Sequence, residues 1–251
     1  IVGSAESIAE IDKDLLYRCY NAFYNLNNMV LSIAGSFDVD KALDICDRLL
    51  IPSKDNKLER KVFDEPYEVK EKSVTIKLPC SQPMFSIMYK FPPISPQQSG
   101  KAYITYKILL ETCLGCTSSF YAEMYEQGLI NESFGVGASY CRGSLVCIID
   151  GESKQPFILK EKINNELKRL KTELPNKEQF ENIKKRSYGD LLYSYENVSS
   201  NTNSMFSAEL LGISIFDNID TISHLTYDDI LEALNSFDID NCSISVVEPM
   251  E

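Results

Sequence analysis

The sequence predicts an α+β fold, an antiparallel-rich sheet with helices packed on one face. Short segments at 73–78 and 83–91, and again at 133–140 and 144–150, alternate with the two-residue period of half-buried strands. Each pair precedes segments of helical period, and the chain closes on one helix and one strand. At 251 residues, 44% of them hydrophobic, there is ample apolar material for a core.

The elements follow from their punctuation. Asp12 caps a helix to about Tyr24 that carries Leu15, Leu16, Cys19, Tyr20 and Phe23 on one face. Asn27-Asn28 breaks it, and the apolar run Met29 to Ala34 suits a buried strand ended by Gly35. Asp38 caps a second helix with Ala42, Leu43, Ile45, Cys46, Leu49 and Leu50 as its stripe. The charged, proline-bearing stretch 51–67 reads as a linker. Val74 and Ile76 share one face of the next strand, and Phe85, Ile87 and Tyr89 one face of the following one. A loop rich in proline leads to a helix from Ser99 to about Leu114. The strands 133–140 and 144–150 form a hairpin turning at Arg142-Gly143. Ser153 caps a helix to Thr172 with Ile158, Ile163, Leu167 and Leu170 inward. Asn176 and Gln179 form a capping box for a helix to Tyr195. Helices over 203–211 and 226–237 and a strand over 243–247 complete the chain, with His224 in the loop before the last helix.

Composition excludes several classes of function. A formal net charge of −12 argues against nucleic acid and against an anionic membrane surface, since neither finds a basic patch to bind. No apolar run approaches the ~20 residues of a spanning helix. The start, IVGSAESIAE, has no initiator Met and no signal segment, which reads as a chain processed or cut from something longer. Eight scattered cysteines in an acidic chain of this size read as reduced, buried thiols, hence a cytoplasmic protein. The single C-x-x-C, Cys113 to Cys116, has no second pair and no nearby histidine. It reads as small residues flanking Gly115 in a close-packed turn, with a metal or redox role as the weaker alternative. One histidine, His224, cannot supply a zinc site built on paired imidazoles.

Two helix–strand units match without gaps, IDKDLLYRCYNAFYNLNNMVLSIAG (11–35) against LTYDDILEALNSFDIDNCSISVVEP (225–249), an offset of 225 − 11 = 214 residues. Asp14 pairs with Asp228, Asn21 with Asn235, Phe23 with Phe237 and Asn27 with Asn241; Leu16 aligns with Ile230, Val30 with Ile244 and Ile33 with Val247. Each unit then closes a domain of about 200 residues. On this reading 1–50 is the closing helix–strand–helix of a truncated first half-domain, 51–67 the linker and 68–251 a complete second half-domain. Roughly 150 or more residues would precede Ile1.

The order of four segments resembles the insulinase/pitrilysin family of metallopeptidases, including the mitochondrial processing peptidases and their short bacterial relatives. They are IDKDLLYRCYNAFYNLNNMVLSIAGSFDVDKAL, CLGCTSSFYAEMYEQGLINESF, QFENIKKRSYGDLL and SHLTYDDILEAL. The resemblance implies a half-domain of the processing-peptidase type, in a family whose two homologous halves close over an extended peptide. The inverted zinc motif H-x-x-E-H belongs to the first half and has no counterpart here. The implied role is therefore the second, C-terminal half of a zinc peptidase. It would have no cofactor of its own, zinc being expected in the missing first half.

The stretch Thr112–Gly137 is a tight packing corner or a wall of the peptide cleft. As a wall, the resemblance implies that Ser118, Ser119, Phe120, Tyr125, Gly128, Leu129 and Asn131 contact substrate. Active relatives carry an Arg and a Tyr around this Gly-Leu; here Tyr125 and Asn131 lie near those places and no Arg does. Either Tyr125 compensates or the branch is non-catalytic. The expected partners are the missing first half-domain or a homologous subunit, a peptide substrate, and a second copy of the chain. The alternative function is a non-catalytic assembly subunit.

Overall fold

The computed structural model describes residues 3–51, 65–141 and 143–250. In chain order the elements begin with α1 (Ala5–Ala9), α2 (Lys13–Phe23), α3 (Val39–Leu49), β1 (Ser73–Leu78), β2 (Met84–Lys90), α4 (Pro96–Leu114) and α5 (Ser119–Glu126). They continue with β3 (Gly135–Cys141), β4 (Ser144–Glu152), α6 (Pro156–Glu173), α7 (Lys177–Ser194), α8 (Val198–Leu211), α9 (Asp217–His224), α10 (Tyr227–Ser236) and β5 (Cys242–Pro249). Two compact units result, the smaller from Ile1–Asp64 and Asn197–Leu210, the larger from Glu65–Glu196 and Leu211–Glu251. Among the described residues no helix is long and apolar enough to cross a membrane.

The larger unit is the predicted α+β layer pair. Its five strands run in the order β1-β5-β2-β4-β3. β1 and β5 are parallel and the other three pairings antiparallel. Phe85, Ile87 and Tyr89 alternate inward from β2 and face Leu145, Cys147 and Ile149 of β4 and Cys242, Ile244 and Val246 of β5, all buried. Helices α4, α6 and α10 supply the other half of this core through Ile108, Leu109, Leu159, Ile163, Leu167, Ile230 and Leu234. The opposite sheet face carries Met84, Met88, Val74 and Ile76, which stay exposed. One covered and one open face is the usual state of an antiparallel-rich sheet.

Several local expectations shift. The fourth helix begins at Pro96, three residues before Ser99, because proline suits the first helical position. Likewise Pro156 opens α6, so its inward stripe is Leu159, Ile163, Leu167 and Leu170, while the expected Ile158 is exposed. Asn176 caps α7 through the Gln179 N–H at 3.0 Å, but the Gln179 side chain donates to Thr117 instead of closing a box. His224 ends a helix, α9, and its Nδ1 lies 2.8 Å from the Asp220 carbonyl. All eight cysteines are free thiols; Cys113, Cys147 and Cys242 are buried, whereas Cys19, Cys116 and Cys141 are exposed. Of the linker 51–67, residues 52–64 lie outside the described residues, as does Arg142 in the hairpin turn.

In the smaller unit α2 and α3 start at the predicted caps, Asp12 accepting from Leu15 N–H and Asp38 from Lys41 N–H. The run Met29 to Ala34 does not form a strand. A strand satisfies its backbone only with neighbours, and no second strand of this unit is among its described residues. The run instead lines a cavity of about 540 Å³ with Phe37, Leu43 and Met205 of α8, where Ser32 Oγ donates to the Thr202 carbonyl.

Asn241, at the entry to β5, is buried and holds three backbone groups. Its Oδ1 accepts from Val69 N–H at 3.0 Å, and its Nδ2 donates to the carbonyls of Tyr67 at 2.9 Å and Lys90 at 3.1 Å. It thereby fixes β5 between the approach to β1 and the end of β2. Asn241→Ala leaves these groups without partners and is expected to cost about 2–4 kcal/mol, read as a lower urea midpoint of the larger unit by far-ultraviolet circular dichroism.

Asp229 locks α10. It accepts from Lys101 Nζ at 2.8 Å and from Thr226 N–H at 2.9 Å, while Thr226 Oγ1 accepts from Asp229 N–H at 3.2 Å. The Lys101 contact first, then Thr226, lowers its pKa from the ordinary 3.8 to about 2. A depressed folded-state value means that this stabilisation is present above pH 3.8 and is lost as pH falls through about 2. Screening at the partly exposed pair leaves it on the order of 1 kcal/mol. Acid titration of urea stability should show that loss in the wild type, and Asp229→Asn should lack that component.

Candidate functional site

The stretch Thr112–Gly137 is a corner built from three backbone devices. Helix α4 stops at Gly115, whose N–H bonds the Glu111 carbonyl at 3.1 Å. A Cβ there would stand 2.5 Å from that carbonyl oxygen, so only glycine fits. Ser118 N–H then bonds the Gly115 carbonyl at 2.8 Å, and Ser118 Oγ accepts from Tyr121 N–H at 3.0 Å to cap α5. At the far end Gly128 has φ +66°; its N–H bonds the Tyr125 carbonyl and Leu129 N–H bonds the Met124 carbonyl, both at 3.0 Å. This is a complete Schellman stop, sealed by the buried pair Met124 and Leu129.

These devices sort the predicted contact residues. Ser118, Phe120 and Leu129 are buried, Phe120 in the main core. Ser119, Tyr125 and Gly128 are exposed, Tyr125 at 46% with its ring stacked on Tyr121 at 5.9 Å. Asn131 is part-buried and belongs to a network. Its Oδ1 accepts from Ser133 N–H at 2.9 Å and its Nδ2 donates to Glu152 Oε2 at 2.8 Å, an oxygen that Gln82 also reaches. The chain after α5 is thus pinned to the end of β4. Cys113 is buried, which pushes its thiol up to about 12 and keeps it protonated. Among the described residues no group of three His, Cys, Asp or Glu side chains could hold a metal ion.

The sequence showed no arginine in this stretch, but folding brings one beside it. Arg186 of α7 bonds Glu111 Oε2 at 3.0 Å and lies against the Cys116 thiol. Burial works to lower its pKa, and the contacts with Glu111 and Cys116 outweigh that, for a net rise. Arg186 lines two neighbouring clefts. One, of about 410 Å³, includes Lys107, Glu111, Asp190 and Asn218; the other, of about 380 Å³, includes Thr117, Asn176 and Gln179. Helical spacing on α7 marks Arg186 as solvent-facing, and nothing in the sequence ties it to Glu111, 75 positions away.

The peptidase M16 inactive domain matches residues 10–187. The chain belongs to that family. It is 29% identical over 244 residues to YmfH, described as a zinc protease of Bacillus subtilis, a match covering 92% of this chain and 55% of that one. Among solved structures, an M16-like peptidase from Alicyclobacillus acidocaldarius superposes with a TM-score of 0.88 at 25% identity, over 100% of this chain and 61% of the other. An M16 inactive domain from Pseudomonas fluorescens shares the fold, with a TM-score of 0.74 at 16% identity over 99% of this chain and 60% of that one. The chain therefore spans little more than half the length of these relatives. It is homologous to the C-terminal, non-catalytic half of insulinase-like zinc proteases.

The corner's rigidity is open to test. Gly115→Ala forces a methyl group against the Glu111 carbonyl and is expected to destabilise the larger unit by about 1–3 kcal/mol, seen as a lowered urea midpoint.

Proposed function

We propose that this chain walls the peptide cleft of a zinc peptidase and supports a zinc-bearing half that closes against it. Residues 1–50 then belong to the close of the first half-domain and 68–251 form the second. The observation that carries this reading is the membership in the inactive-domain family, joined to a corner that exposes Thr117, Ser119 and Tyr125. The zinc of such enzymes finds no fitting ligand set among the described residues, and the one imidazole is engaged with its own helix. The reading assigns the metal, the activated water and the proton transfers to the opposite half.

The chain's own contribution is to bind and orient. Ser119, Tyr125 and the backbone at Gly128 offer contacts, while Ser118, Phe120, Leu129 and Asn131 hold the wall's shape. Among the described residues edge strand β3 has one unpaired side, on which an extended peptide could add as a further strand. Eight free thiols support a reducing compartment, the cytoplasm, and the short relatives support a bacterial origin. A second reading, the non-catalytic assembly subunit, draws on the absence of arginine from Thr112–Gly137.

Zinc-supplemented chain should hydrolyse no fluorogenic peptide, and a zinc-bearing half should confer cleavage that a chelator abolishes. Chelator-sensitive cleavage by the chain on its own would overturn the assignment. In the reconstituted pair, Tyr125→Ala is expected to raise KM several-fold at unchanged stability. Phe120→Ala should instead cost about 3–5 kcal/mol of stability. A stable pair that cleaves nothing would favour the assembly subunit.

A further inference from the structure

Of the two clefts that Arg186 lines, the one of about 410 Å³ is a pocket among α4, α7 and α9, which pack on one another within the larger unit. Its volume lies near the lower end of the ~300–1,000 Å³ usual for small-ligand sites. The floor is apolar, with Ile104, Ile108 and Ile222 buried beneath it. On the rim, α4 and α7 set out two rungs of opposite charge. At one rung Glu111 of α4 and Arg186 of α7 close an ion pair at 3.0 Å. One helical turn away on each helix stand Lys107 and Asp190, with the polarity reversed. Both line the pocket and are exposed, and neither has an ion pair or hydrogen bond among the described residues. Tyr103, Ser187 and Asn218 line it too, and their side-chain polar groups likewise have no protein partner there.

These groups limit what can bind. A simple anion meets the repulsion of Glu111 and Asp190, and a simple cation that of Lys107 and Arg186. A ligand with one charge of each sign finds a free partner for both, and its zero net charge meets no barrier from a chain of net charge −12. The lining runs along α4 from Tyr103 to Glu111, 111 − 103 = 8 residues, or about 12 Å at the helical rise. Two extended residues span about 7 Å, so the pocket has length for more than a single amino acid. We infer that it binds a short apolar peptide with both ends free. The terminal carboxylate accepts from Lys107 and the terminal ammonium donates to Asp190, contacts of the charge-assisted kind. The peptide's side chains lie on the isoleucine floor, and Tyr103, Ser187 and Asn218 are at hand for its peptide group. Binding of this kind uses only residues of the larger unit and is independent of the cleft-wall role.

The test titrates the full chain with the dipeptide Leu-Leu by calorimetry, beside N-acetyl-Leu-Leu, Leu-Leu amide and free leucine. Wild type should bind Leu-Leu saturably at one site and each blocked form about 10-fold more weakly. Lys107→Gln should weaken Leu-Leu about 10-fold while leaving the amide unaffected, and Asp190→Asn should do the same while leaving the acetylated form unaffected. Both residues are exposed and unpaired, so neither substitution should move the urea midpoint. Absence of saturable binding by wild type overturns the site. So does binding that both variants keep at full strength, or that loses equally for free and blocked peptides. Free leucine binding as tightly as Leu-Leu overturns the choice of a peptide over a single amino acid.

Discussion

The last strand in the sequence lies inside the sheet, between β1 and β2, and the larger unit depends on that placement. β5 joins β1, about 170 residues earlier, to the β2–β4–β3 meander. Without it β1 has no partner and β2 loses half its ladder. Asn241 enforces the join at its entry, because three backbone groups from two distant segments end on one buried amide. Contacts of such sequence separation carry a large loop-closure cost before they return any stability. Few alternative registers survive, since a one-residue slip would turn Ile244 and Val246 to solvent.

On this frame the corner at Thr112–Gly137 is held by backbone rather than by side-chain chemistry. Gly115, the Ser118 cap and the Schellman stop at Gly128 fix α5 at both ends. Asn131 and Glu152 then tie the following chain to β4. Such a corner holds Ser119 and Tyr125 in fixed places on the surface, and in the proposed role as a cleft wall that fixity would lower the entropic cost of recognition.

The legible parts of the fold were those decided within one turn of helix or one hairpin. The caps at Asp12, Asp38 and Asn176 all form. The hairpin register follows too, with Cys141 opposite Ser144. Where two local signals competed, proline prevailed over serine as a helix start at Pro96 and Pro156 and moved the inward phase from Ile158 to Leu159. The site was less legible. Phe120 and Leu129 have the composition of contact residues yet point into the core. Arg186 reaches the corner through a tertiary approach of α7 that no spacing rule encodes.

The two copies of the repeat separate what a sequence specifies by itself from what it specifies only in company. Helices α2 and α10 both form, because a helix closes its hydrogen bonds internally and needs only its cap and its propensities. The strand forms in one copy alone, because a strand's hydrogen bonds belong equally to its neighbours. The apolar run Met29 to Ala34, expected as a strand, therefore forms none among the described residues of this unit. The same asymmetry explains why α2 keeps a hydrophobic face with nothing buried behind it.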